Sequence, residues 1–233
     1  MREFDTSSPL WVSPEYAKEM IQNAWICQLR GDSYISQLIR LGTQGVHSHS
    51  AMFRRDENDH VDMLELREGV GGRTKPFAYH MRKPGRIDVF SPNADNRWPE
   101  FDPAGAVAAM RDLTICDYGW LGLFRMLVRR VPLLWRLYPP TTDDRLPQNG
   151  ESIRQPFCSH AVSMATHLGG EVDPVARRPH YQVTPMNLTE SLFYNYEFTI
   201  ATDWCREKYR ANANIDALVA CNEHAFGCPE VEA

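Results

Sequence analysis

Two short segments carry the residue types of thiol chemistry: Val46-His47-Ser48-His49-Ser50-Ala51-Met52 and Gln155-Pro156-Phe157-Cys158-Ser159. A cysteine attacks as the thiolate, and an imidazole that takes its proton makes the attack possible at neutral pH. Pro156 precedes a helical pattern in which Phe157, Ala161, Met164, Ala165 and Leu168 share a face, so Cys158 falls in a first helical turn. Free N–H groups and the positive dipole end favour a thiolate there and can hold an oxyanion. The alternative for Cys158 is a small buried hydrophobe of that helix.

His49 opens an apolar strand pattern, with Ala51 and Phe53 following on its face. It is the candidate base, and His47, on the same face, is the second choice. A third group should orient the imidazole. Glu65 lies on the next strand candidate, and neighbouring strands are about 4.8 Å apart, within reach of a carboxylate. Glu68 and Asp62 are the fallbacks, and an exposed strand acid is the plainer alternative for Glu65. His160, two residues after Cys158 on a helix, projects away from the sulfur. A metal reading competes through His47, His49, Asp56, Asp59, His60 and Asp62. Neither HExxH nor a spaced cysteine cluster supports it, so no metal and no cofactor are expected.

These groups need elements to hold them. Ser13-Pro14 opens a helix over 16–24, and Trp25 to Leu29 reads as a strand. Ser33 to Leu41 fits a helix with Ile35, Leu38 and Ile39 on its apolar face. Ser48 to Phe53 and Val61 to Leu66 read as adjacent strands joined by the turn Arg54 to His60. Glu68-Gly69-Val70-Gly71-Gly72 reads as a flexible loop and Arg86 to Phe90 as a further strand. Asp102-Pro103 starts a helix to about Leu113. Gly169-Gly170 ends the Cys158 helix, Thr184-Pro185 opens a segment leading into 188–192, and Phe193 to Ile200 alternates like a strand. Residues 1–12 read as a loose arm, and the tail beyond Asp203 carries no clear pattern.

The 233 residues, 43% hydrophobic and 11% aromatic, can bury a core without staples. A net charge of -5 argues against nucleic acid as the partner. The six cysteines form no CxxC and read mostly as buried thiols, with Cys221 and Cys228 a candidate local disulfide under oxidising conditions. The first eleven residues lack the apolar run of a signal peptide. No stretch reaches the ~18 apolar residues needed to span a bilayer. Together these point to a cytoplasmic protein. Residues 121–138 interleave apolar side chains with four arginines. That pattern suits peripheral membrane contact, or equally a lid or packing helix with a basic face.

Four stretches, in order, resemble one family. Leu29-Arg30-Gly31 leads to Ser36-Gln37-Leu38-Ile39-Arg40-Leu41-Gly42-Thr43 and then Ser48-His49-Ser50-Ala51. Met63 to Val70 carries an acid followed by Gly-Val. Cys116-Asp117-Tyr118-Gly119 precedes Phe157-Cys158-Ser159. Thr184-Pro185-Met186-Asn187-Leu188 closes the set. Over roughly residues 25–193 the chain resembles the circularly permuted NlpC/P60 family, the permuted papain-like amidases of the YiiX/YaeF type. It departs at His160, where the family mostly has an acid, and at Ser50, where a small aliphatic is usual.

The resemblance implies an α+β fold: a circularly permuted papain-like domain with a small antiparallel sheet packed with helices. That domain would cover 25–200, with 1–24 as an N-terminal arm and helix, 139–151 as an exposed loop, and 201–233 as a C-terminal extension. Cys158 would be the nucleophile, His49 the base and Glu65 the third polar residue, with Tyr118 and Ser159 as supports. The implied activity is a bacterial or phage cysteine hydrolase acting on an amide or acyl bond in a peptide, cell-wall fragment or lipid. A phage origin would allow a virion-associated protein. Acyl transfer by the same dyad and a non-enzymatic binding or structural role are the alternatives.

Overall fold

The computed structural model describes residues 9–120, 123–124, 156–209 and 214–225. The expected exposed loop at 139–151, nearly all of the Arg-rich stretch 121–138, and Cys228 lie outside them.

Five strands fall where the alternation puts them: β2 (Ile26–Arg30), β3 (His49–Arg55), β4 (Val61–Arg67), β6 (Arg86–Pro92) and β7 (Tyr194–Ile200). Two more join them. β1 (Trp11–Val12) forms inside the segment expected to be a loose arm, because both side chains are buried. β5 (Gly71–Pro76) begins inside the segment expected to be a flexible loop. The sheet order is β1-β7-β6-β2-β3-β4-β5. The sheet is therefore seven-stranded and mixed, not a small antiparallel one: β1 runs parallel to β7, and every other neighbouring pair is antiparallel.

The helices start where polar caps stand. Ser13 accepts from the Tyr16 N–H ahead of α1 (Pro14–Met20), and Ser33 accepts from the Ser36 N–H ahead of α2 (Tyr34–Thr43). α3 (Phe77–Met81) is a single short turn after β5. Asp102 caps α4 (Pro103–Leu113). α5 (Cys158–Leu168) carries the candidate nucleophile at its first position. Thr184 and Asn187 form a capping box on α6 (Pro185–Thr189). The patternless tail contains α7 (Asp203–Tyr209) and α8 (Ile215–Ala225). α8 closes over Trp11 of β1 through Ile215 and Val219, which covers an otherwise open sheet edge.

The sheet has two buried faces. Ile26, Met52, Leu64, Leu66 and Phe90 pack against α4 and α5 through Met110, Phe157, Ala161 and Ala165. On the other face Cys27, Ala51, Phe53, Met63 and Val89 pack under α1 and α3 through Tyr16, Ile21 and Phe77. Each large side chain buried this way contributes about 1.5–3 kcal/mol. α2 differs from expectation: only Ile39 of its apolar face is buried, and Ile35 and Leu38 stay exposed.

Two glycine contacts set how α4, α5 and β5 approach their neighbours. A Cβ on Gly105 of α4 would lie 2.1 Å from the Gly169 oxygen, and one on Gly169 would lie 2.0 Å from the Gly105 oxygen. α4 and the end of α5 therefore cross in backbone contact. A Cβ on Gly72 of β5 would lie 2.2 Å from the Thr114 oxygen. This bare position lets the segment leading to Tyr118 lie directly on the sheet edge.

Candidate active site

Cys158 opens α5 after Phe157, whose extended backbone (φ -98°, ψ 175°) makes the N-cap without a side-chain cap bond. The first helical hydrogen bond runs from the Ala161 N–H to the Phe157 oxygen. The N–H groups of Cys158, Ser159 and His160 therefore have no intrahelical acceptor. The sulfur is nearly buried, at 3% residue exposure.

His49 is the first residue of β3, and Glu65 lies on the adjacent β4 with its side chain fully buried. The His49 Nε2 lies 2.7 Å from the Glu65 Oε2. Nδ1 is buried without a complete hydrogen bond, and Cys158 is the charge and hydrogen-bonding neighbour of the same ring. Burial alone would depress the imidazolium, but the Cys158 thiolate and then Glu65 outweigh it and raise the His49 pKa to about 10. Burial likewise disfavours the Glu65 carboxylate. The hydrogen bond and charge of His49, with His80 and Arg73 behind it, reverse that and hold the carboxyl far below its usual range.

Glu65 is itself held from behind. Arg73, directly opposite on β5, donates Nε to Oε1 at 2.7 Å and brings Nη2 to 2.6 Å. The Nε2 of His80, on α3, stands 3.7 Å from the same oxygen. Burial, with the His49 and Arg73 charges adding to it, pushes the His80 pKa down to about 4 against the pull of Glu65. The imidazole of His80 is therefore neutral at physiological pH. Arg73 and His80 had no signal in the sequence: each depends on an element whose pattern is too short or too polar to read.

Tyr118 is a neighbour of Cys158. Its hydroxyl is buried without a complete hydrogen bond. Burial, the Cys158 thiolate and Glu68 all raise its pKa, so the phenol stays a donor. The Gly119 N–H to Pro156 oxygen bond, at 3.0 Å, ties this segment to the residue preceding the α5 cap. Tyr118 also stacks edge-on against Trp120, with ring centroids 5.2 Å apart.

The remaining candidates sit elsewhere. The His47 Nε2 lies 2.7 Å from Asp88 Oδ2 in a separate buried network. There Arg86 donates to Asp88 at 2.8 Å and Tyr196 and Thr199 share a hydrogen bond at 2.8 Å. Asp62 pairs with Arg54. Ser159 donates to the Val183 oxygen at 2.7 Å, pinning α5 to the approach to α6. Glu68 is half-buried in the β4–β5 turn and faces Tyr118. His160 packs on Phe157, with ring centroids 5.4 Å apart. The alternating histidines of the metal reading thus go to different carboxylates. Among the described residues no group of three or more His, Cys, Asp or Glu is arranged to hold a metal ion.

No family model matches the chain, and no curated protein does. Among solved structures it is similar to the crystal structure of metalloprotein yiiX from Escherichia coli O157:H7, a protein of the YiiX type named above. The TM-score is 0.44 at 13% identity, over 78% of this chain and 98% of that one.

Proposed function

We propose that the protein is a thiol-dependent hydrolase of the permuted papain-like type, cleaving an amide or acyl bond with Cys158 as nucleophile and His49 as base. One observation carries this reading: Glu65 occupies one ring nitrogen of His49, while the other is buried, lacks a complete hydrogen bond and belongs to a ring whose neighbour is Cys158.

His49 takes the Cys158 proton, which leaves a thiolate beside an imidazolium. The sulfur attacks the substrate carbonyl carbon and the C=O π pair moves to oxygen. The Tyr118 hydroxyl and the free N–H groups at the start of α5 supply donors for that oxyanion. Collapse restores the carbonyl and expels the amine or alkoxide, which takes the His49 proton. Neutral His49 then removes a proton from water, and the hydroxide attacks the thioester. The thiolate departs and the imidazolium is restored. Glu65 holds the ring and its charge throughout; Arg73 and His80 hold Glu65.

A second reading, an acyl-lipid substrate for the same dyad, is favoured by the side chains around Tyr118. Val70 is 60% exposed and Ile115 is 85% exposed, and Trp120 and Phe124 are also exposed in the segment that follows Tyr118. The Gly72 N–H to Cys116 oxygen bond of 2.9 Å brings the turn bearing Val70 against the segment bearing Ile115. Apolar groups this exposed suit an apolar substrate.

The test is turnover of paired chromogenic substrates, short-peptide anilides and acyl esters of increasing chain length. Activity on either, abolished in Cys158→Ser and His49→Ala, supports the hydrolase reading. A rise with chain length supports the lipid one. No turnover beyond that of Cys158→Ser would leave a binding or structural role.

A further inference from the structure

Behind Glu65, on the side of the sheet away from α5, three cations gather on one aromatic ring. The Arg73 guanidinium carbon lies 5.4 Å from the Tyr79 ring centroid, the Lys75 Nζ 5.5 Å and the Lys83 Nζ 4.8 Å. Arg73 and Lys75 stand two residues apart on the edge strand β5, so they share a side of it. Lys83 follows α3, whose middle residue is Tyr79. A phenol ring attracts one cation well, but three brought this close also repel one another.

Among the described residues the group is neutralised only in part. Arg73 meets Glu65, but one carboxylate oxygen does not use the five N–H donors of a guanidinium. Neither Lys75 nor Lys83 has a carboxylate within ion-pair distance among the described residues. Arg82, exposed next to Lys83, adds a further positive charge. This concentration stands out in a chain of net charge -5. The Tyr79 hydroxyl is flanked by Arg73 and Lys83, and their charges lower its pKa.

We propose that Arg73, Lys75, Lys83 and the Tyr79 hydroxyl form a binding site for a phosphate-class dianion, either free or as a phosphomonoester headgroup. Two whole cations and part of a third match a charge of two better than they match a carboxylate. Four neighbouring donors, two from β5 and two from α3 and the turn after it, match a tetrahedral set of acceptor oxygens better than a planar pair. The site is distinct from the Cys158 side of the sheet, and it adjoins the candidate active site through Arg73 and through the edge-on contact of Tyr79 with His80, ring centroids 5.2 Å apart. The proposal stands whether or not Cys158 is catalytic.

The test uses the whole chain and leaves Arg73 intact. Inorganic phosphate is titrated by calorimetry at fixed ionic strength, with chloride as the control, into the wild type and Lys75→Gln/Lys83→Gln. The single Lys83→Gln, at an exposed position, serves if the double variant melts early in chloride. In a parallel arm, both proteins are sedimented with phosphatidylcholine vesicles with and without phosphatidic acid. Saturable phosphate binding, weakened about tenfold or more in the variant, is the expected result and marks a free anion as ligand. Sedimentation that needs both phosphatidic acid and the two lysines, without binding of free phosphate, assigns the same site to a headgroup. Absence of both, or binding indifferent to the lysines, overturns the proposal.

Discussion

Glu65 has both carboxylate oxygens engaged, His49 on one and Arg73 on the other. A carboxylate so placed raises the basicity of the ring it holds. Glu65→Gln keeps the shape and removes the charge. The expected result is a fall in kcat/KM of about 10- to 100-fold. Protonation of the leaving group needs the imidazolium, so activity should decline as pH rises through about 10. In Glu65→Gln that alkaline limb should move to lower pH, which a pH–rate profile reads directly. Tyr118→Phe separates catalysis from packing in a different way. The hydroxyl has no complete hydrogen bond, so its loss should leave the melting temperature unchanged or slightly raised. Loss of one oxyanion donor should nevertheless lower kcat by about 10²-fold. An unchanged kcat would remove Tyr118 from the mechanism. At this scale the positions of His49, Glu65 and Cys158 on their elements were legible, because a strand start, its neighbouring strand and a helix start were each readable from local pattern. Arg73 became a partner of Glu65 only through the β4–β5 register, which no local pattern announces.

The elements that escaped sequence reading are those whose stability comes from their neighbours. The β5 run Gly-Gly-Arg-Thr-Lys-Pro has no apolar alternation, because it is an edge strand with several solvent-facing side chains. β1 has two residues, held by the Thr199 N–H to Leu10 oxygen bond on one side and by α8 on the other. α2 misled in the opposite sense: its apolar stripe is real, yet most of it faces outward. Placement of Tyr118 depends on β5 at Gly72. Gly72→Ala would force its Cβ into the Thr114 carbonyl, displacing the segment to Tyr118. The expected outcome is a loss of about 1–3 kcal/mol in a denaturant titration, with a loss of activity larger than that of a Val70→Ala control. Gly169→Ala should cost a similar amount by driving α5 from α4, since both nearest atoms are Gly105 backbone.

Across the whole molecule, several buried titratable groups set the pH range of stability. Burial depresses His80 to about 4 and His160 to about 3. Each binds a proton more readily when unfolded, so stability should fall as pH drops below the ordinary histidine value of 6.5. Glu65 and Asp88 are also depressed, by His49 and by His47 with Arg86 respectively, against the burial that opposes both. Their contribution is full above the ordinary carboxylate values of 4.5 and 3.8 and is lost on further acidification. His49 acts in the opposite sense: its raised pKa contributes below 6.5, and that contribution fades as pH rises through about 10. Chemical denaturation should therefore find a maximum near neutral pH and a steep acid limb. A midpoint unchanged from pH 7 to pH 4 would contradict this assignment of charges.

The Cys158–His49 pair is read most directly by the alkylation rate of each cysteine by iodoacetamide against pH, in the wild type and in His49→Ala. Cys27 and Cys205 are buried, and their thiol pKa values are raised by that burial, so they should react slowly. Cys158 should outpace every other cysteine below pH 7 and lose that advantage without His49. A slow Cys158, or a fast one indifferent to His49, would contradict the pairing.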